Sequence, residues 1–136
     1  MPGIKDWLKK ASSDLKSAKM LSKDDDVLDV AVFHTHQCAE KALKTYLVFC
    51  QSPILKTHDL PKLLEVCVQK DPSFKELLNE VLSLNSYGTY SRYPDDRFSI
   101  DQEEAARAVK YASRIFDFVE KKIKPPDNKT LSLFEK

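Results

Sequence analysis

The chain reads as an all-α protein, an up-down antiparallel four-helix bundle with an additional short helix, five helices in all. Three observations predict this. Apolar residues recur at three- and four-residue steps along several long segments, the spacing of one helix face. No segment alternates with period two, so strands are not expected. The connections between periodic segments are short, which favours antiparallel neighbours.

The elements follow in order. Ile4, Leu8, Ala11, Leu15 and Ala18 step by four and three, with Trp7 and Leu21 widening the stripe, and predict an amphipathic helix of about five turns. Asp24, Asp25 and Asp26 interrupt it, and Asp26 is placed to cap the next helix. From Val27 to about Cys50 runs the most apolar helix, apolar on two sides, as expected of a central helix or one at an oligomer interface. Pro53 follows its end. Leu60, Leu63, Leu64, Cys67 and Val68 predict a short helix that stops at Asp71-Pro72. Ser73 and Glu76 have capping-box spacing and open a further helix carrying Leu77, Leu78, Val81, Leu82 and Leu84. A loop over residues 86–100 comes next. Asp101 with Glu104 then caps a last long helix, on which Ala105, Ala108, Val109, Ala112, Ile115, Phe116, Val119 and Ile123 keep helical spacing. Pro125 and Pro126 end it. The bundle is therefore assigned to residues 1–124 and a C-terminal tail to residues 125–136.

The totals exclude several functions. At 136 residues the chain has room for one domain. A net charge of +1 gives no global attraction to nucleic acid or membrane, so any anion site must be a local cluster. Two glycines are too few for a phosphate-cradling loop of the Walker or dinucleotide type. Cys38, Cys50 and Cys67 fall inside predicted helices without Cys-x-x-Cys spacing, which suggests reduced thiols and a cytoplasmic location. No signal-like or membrane-length apolar stretch occurs, so no membrane association is expected.

Two segments carry the chemistry. The central helix holds His34, His36, Gln37, Glu40, Lys41 and Lys44, polar groups that need partners if that helix is buried. The loop contributes Tyr87, Tyr90, Arg92, Tyr93 and Arg97 within a dozen residues. Arginine offers a planar fork to phosphate and tyrosine a face to a base, so a nucleotide or an RNA strand would suit it. Two roles are open to Arg92, pairing with Glu40 or Asp95 or gripping such a ligand. Lys41 and Lys44 likewise either face an anion or pair with Glu40 or an acid of another helix. His34 and His36 lie about 200° apart on a helix and cannot share a metal. His34 and Cys38 share a face but lack a third ligand, so His34 is read as hydrogen-bonded to a neighbour. His58, between Thr57 and Asp59, is read as part of a helix cap. No metal, no cofactor and no catalytic residue is expected.

With Phe33-His34-Thr35-His36-Gln37-Cys38-Ala39-Glu40-Lys41-Ala42-Leu43-Lys44, Thr57-His58-Asp59 and Ser91-Arg92-Tyr93-Pro94-Asp95, the chain resembles the HEPN family over roughly residues 4–123. The resemblance implies the same helical bundle, a functional arginine at Arg92, and a minimal nucleotidyltransferase as partner in a toxin–antitoxin pair. Tyr90 or Tyr93 would then be acceptors of modification. Ribonuclease members carry a histidine separated from that arginine by a spacer of about four to six residues. Here those positions hold Arg97, Phe98 and Ser99, so ribonuclease activity is not expected. The reading is a module that binds a nucleotide or similar anion through Gln37, Lys41, Lys44, Arg92 and Tyr93. A toxin with ribonuclease activity and a purely structural interaction module are the alternatives. A homodimer is expected because the central helix is apolar most of the way round, and Trp7, Phe49 and Phe118 add aromatic surface.

Overall fold

The computed structural model describes residues 2–90 and 99–124, with the backbone alone at residues 89 and 90. Every regular element among them is helical. Helix α1 spans Ile4–Leu21, opened by the Gly3 amide donating to Asp6 Oδ2 at 3.0 Å. A 3₁₀ turn at Asp25–Val27 follows, capped by Asp24, whose Oδ1 accepts from the Asp26 amide at 2.9 Å. The cap expected of Asp26 thus belongs to Asp24, because the tighter turn inserts before the helix proper and takes the acidic cap for itself.

Helix α2 spans Leu28–Phe49. It ends in a Schellman arrangement: Ser52 donates back to the Leu47 carbonyl at 2.9 Å and Gln51 to that of Val48 at 3.0 Å, with Gln51 at φ 57°. Helix α3 spans Leu60–Lys70, and its first amide is served from afar, Leu60 donating to Asn85 Oδ1 at 3.0 Å. A 3₁₀ segment at Pro72–Leu77 leads into α4, Leu78–Leu84. Ser73 does not open that helix as expected. Asp71 caps the segment, accepting from the Ser73 amide at 3.0 Å, and Ser73 lies inside it. The element expected to be the short one, α3, is 11 residues long, whereas the α-helical part of α4 has 7.

A one-turn helix α5, Tyr87–Tyr90, occupies the start of the expected loop. Last comes α6, Gln102–Ile123, with Asp101 accepting from the Glu104 amide at 2.8 Å as the sequence predicts.

Helix α2 is the axis of the molecule, with α1 and α6 packed along it and α3, α4 and α5 over the remaining sides. Ala39 and Ala42 on α2 and Ala105, Ala108 and Ala112 on α6 are buried, and small side chains at such positions let helices approach closely. Leu43, Leu47, Leu63, Phe74, Leu77 and Ile115 are fully enclosed, each worth about 1.5–3 kcal/mol of transfer free energy. Phe74 anchors an aromatic cluster, its ring 4.3 Å from Tyr46 and 4.9 Å from Phe118. Apart from Phe49, which is 41% exposed at its last turn, most of the apolar circumference of α2 is therefore covered within one chain. It no longer argues by itself for a second copy. No described helix is long and apolar enough to cross a membrane.

Candidate functional site

Gln37, Glu40, Lys41 and Lys44 lie along one stripe of α2, and two carboxylates organise it together with the histidines beside it. Asp14, from the inner side of α1, accepts from His34 Nδ1 at 2.9 Å and from Lys41 Nζ at 2.6 Å. Glu40, on α2 itself, accepts from His58 Nδ1 at 2.8 Å and from Lys44 Nζ at 2.9 Å. Each acid thus serves one histidine and one lysine. Glu40 is 4% exposed and Lys44 6%, so the second pair is taken almost wholly out of water. A pair buried this way is held by its complete set of partners, and removing one leaves an unbalanced charge in the interior. The Trp7 ring covers Lys44 from the α1 side, its centroid 5.9 Å from Nζ.

His36 is buried beside Glu40 and is bonded through its other nitrogen. Its Nε2–H donates to the His58 carbonyl at 3.0 Å, and its Nδ1 meets the Gln37 side-chain amide at 3.2 Å. Burial holds the His36 pKa below its ordinary value of 6.5, outweighing the Gln37 hydrogen bond and the Glu40 charge that raise it. Against this ring sits Gly88 of α5. A Cβ built on Gly88 would come within 2.8 Å of His36 Nε2, so only glycine lets α5 approach α2 this closely. The neighbouring Tyr87 hydroxyl donates to Glu104 Oε2 at 2.6 Å and ties α5 to α6.

Of the residues read from the sequence, the structure sets Gln37, Lys41 and Lys44 on the one stripe. It pairs Lys41 with Asp14 and Lys44 with Glu40, the second of the two roles open to them. Arg92 and Tyr93 lie outside the described residues, as does the side chain of Tyr90. His58 is not the helix cap expected of it. Thr57 Oγ1 accepts from the Asp59 amide at 3.1 Å and Asn85 serves Leu60, which releases the His58 ring to reach Glu40. Asp14 was not singled out by sequence reasoning. Its signal was there, an acid between Ala11, Leu15 and Ala18 on the inward stripe of α1.

The described residues contain no cluster of three or more metal-ligating acids, histidines and cysteines. Burial pushes the Cys38 and Cys67 thiols up to about 12, so neither is a nucleophile at neutral pH. Two surface grooves formed by described residues lie elsewhere. One, of about 620 Å³, runs along α6 past Lys110, Arg114 and Lys121, and the other, of about 640 Å³, lies on α1 beside Trp7 and Lys10. Neither includes His36, Glu40 or His58.

Residues 4–122 match the model of the HEPN domain. The chain belongs to the HEPN family. It is 27% identical over 128 residues to a Methanocaldococcus jannaschii protein named "Putative toxin MJ1304", the alignment covering 83% of each chain. Among solved structures, the crystal structure of ST0689, an archaeal HEPN homologue, is similar to it with a TM-score of 0.75 at 27% identity. That likeness covers 91% of this chain and 100% of the other. The HEPN bundle predicted from the sequence is thus the observed one.

Proposed function

We propose that this HEPN protein binds a nucleotide or a similar phosphate-bearing ligand where α5 meets the polar stripe of α2. The observation that carries the reading is the pinning of α5. Gly88 is seated on His36, Tyr87 is tied to Glu104, and the chain then passes into the segment containing Arg92, Tyr93 and Arg97. Arg92 follows Gly88 by four residues, a tether of at most about 14 Å. An arginine on so short a tether can serve the same ligand as Gln37 and His58. Lys44 gives one of its three donors to Glu40, and an entering phosphate would compete with the carboxylates for Lys41 and Lys44. Because Asp14 and Glu40 balance those two lysines, the positive charge of the site would come chiefly from Arg92 and Arg97. The test is a thermal-shift titration with ATP, GTP, AMP and a short RNA, on wild type and Arg92→Ala. A saturable rise in melting temperature for one of them, lost in the variant, supports the reading. No rise at millimolar ligand counts against it.

The name of the M. jannaschii relative favours a second element, a toxin-type role, and the partner in it would be the minimal nucleotidyltransferase that the sequence resemblance implies. Tyr90 or Tyr93 would accept the transferred nucleotidyl group through its hydroxyl. Mass spectrometry after incubation with such a transferase and ATP would show one added nucleotidyl mass, absent when both tyrosines are Phe. An unchanged wild-type mass would argue against modification. A homodimer remains part of the proposal. Its support now comes from Leu78 and Leu82, exposed by 49% and 55% one turn apart on α4.

A further inference from the structure

We propose that the outward face of α1 is a docking surface for the phosphate backbone of a nucleic-acid strand, apart from the α5 end of the bundle. Lys5, Lys9, Lys16 and Lys19 are exposed and follow one another at four-, seven- and three-residue steps. On an α-helix those steps keep the four side chains within an arc of about 80° and along about 21 Å of axis. The stripe lies opposite the buried one of Ala11, Asp14, Leu15 and Ala18. None of the four lysines forms an ion pair with a described residue. The acids of α1 do not neutralise them. Asp6 is held by the Gly3 amide at the helix start, and Asp14 is turned inward to His34 and Lys41.

This arrangement weakens the helix that carries it. Lys5 and Lys9, and Lys16 and Lys19, set like charges on neighbouring turns, and Lys5 stands in the first turn against the helix dipole. A polyanion laid along α1 removes the repulsion. The residue type favours phosphate, because lysine is a compact point charge on a flexible stem, whereas protein interfaces are depleted of it. An anionic membrane would need apolar side chains to insert, and Met20 is the one large apolar side chain of α1 that is mostly exposed. Ser12 is the remaining member of the stripe, so no aromatic face or amide reads a base, and binding is indifferent to sequence and sugar. Beyond Lys19 the sign is no longer uniform. Lys110, Arg114 and Lys121 share their groove with Glu76 and Asp117, and Arg114 pairs with the buried Glu80 at 3.1 Å. The strand is therefore confined to α1.

The experiment follows fluorescence anisotropy of an oligothymidylate of about 20 nucleotides with the full chain across a salt series. Wild type is expected to bind with a Kd of about 10⁻⁴–10⁻⁶ M, and log K should fall against log salt with a slope of about −3, the value for four phosphate contacts on a single strand. Lys9→Gln with Lys16→Gln should halve that slope while the urea midpoint stays level or rises, since like charges are relieved. Lys62→Gln with Lys70→Gln, the same charge change at exposed positions of α3, should bind as wild type. So should Arg92→Ala. No binding by wild type overturns the inference and leaves the nucleotide site to its own titration. An equal loss in the α3 variant overturns it by reducing the effect to net charge. Loss in Arg92→Ala with the α1 variant unaffected overturns it and moves the strand to the proposed α5 site. Binding to phosphatidylserine vesicles with none to the oligonucleotide overturns it in favour of a lipid surface.

Discussion

At the scale of single residues, two contacts around His36 decide how the site is held. Gly88 has no room for a side chain, since a Cβ would meet the ring at 2.8 Å. Gly88→Ala should therefore cost about 1–3 kcal/mol in urea unfolding, the usual effect of overpacking a well-filled site. An unchanged midpoint would mean that α5 is not seated as described. His36 also makes stability depend on pH. Its folded pKa lies below the ordinary 6.5, so between the two values the unfolded chain binds more protons than the folded one. The stability that neutral His36 contributes is complete above about pH 6.5 and is lost as pH falls toward the folded value. Melting temperature measured downward from pH 7 should drop less steeply in His36→Gln, which keeps a donor for the His58 carbonyl. Such couplings are not legible in sequence. His36, Gly88 and His58 are far apart along the chain, and nothing local to any of them signals the contact.

At the scale of elements, the sequence was legible where periodicity is long and illegible where one turn decides. The boundaries of α1, α2 and α6 follow from apolar stripes that persist over many turns, and the Asp101 cap was visible in its spacing to Glu104. The two 3₁₀ segments and α5 were missed because three, six and four residues carry too little periodic signal to distinguish a tight turn from a helix start. Polar residues on α2 announced that the helix needed partners, but not which. Asp14 lies on another helix and His58 in a loop, and only the packing of α1 and the Thr57 turn against α2 brings them in. This pairing makes a prediction about α2. Glu40→Ala should destabilise the fold by about 3–5 kcal/mol by leaving Lys44 buried without its acid. The double variant Glu40→Leu with Lys44→Met should recover most of that loss. Additive losses in urea unfolding would show that the two residues are not coupled.

At the scale of the whole molecule, the fold encloses most of the apolar surface of α2 inside one chain and seats α5 against its polar residues at His36. The first point changes the argument for association. A homodimer would now be built on the exposed leucines of α4, so multi-angle light scattering should give twice 15.6 kDa for wild type. Leu78→Lys with Leu82→Lys should return it to 15.6 kDa, whereas a wild-type mass of that size at micromolar concentration would remove the dimer from the account. The second point is the central claim, that the ligand site lies at the junction of α2, α5 and the His58 turn. The most direct test is a ¹H–¹⁵N NMR titration with the nucleotide or RNA that gives the largest thermal shift. The account predicts saturable changes centred on the amides of Gln37, His58 and Gly88. Changes centred instead on Lys110, Arg114 and Lys121 along α6 would contradict it and move the site to that groove.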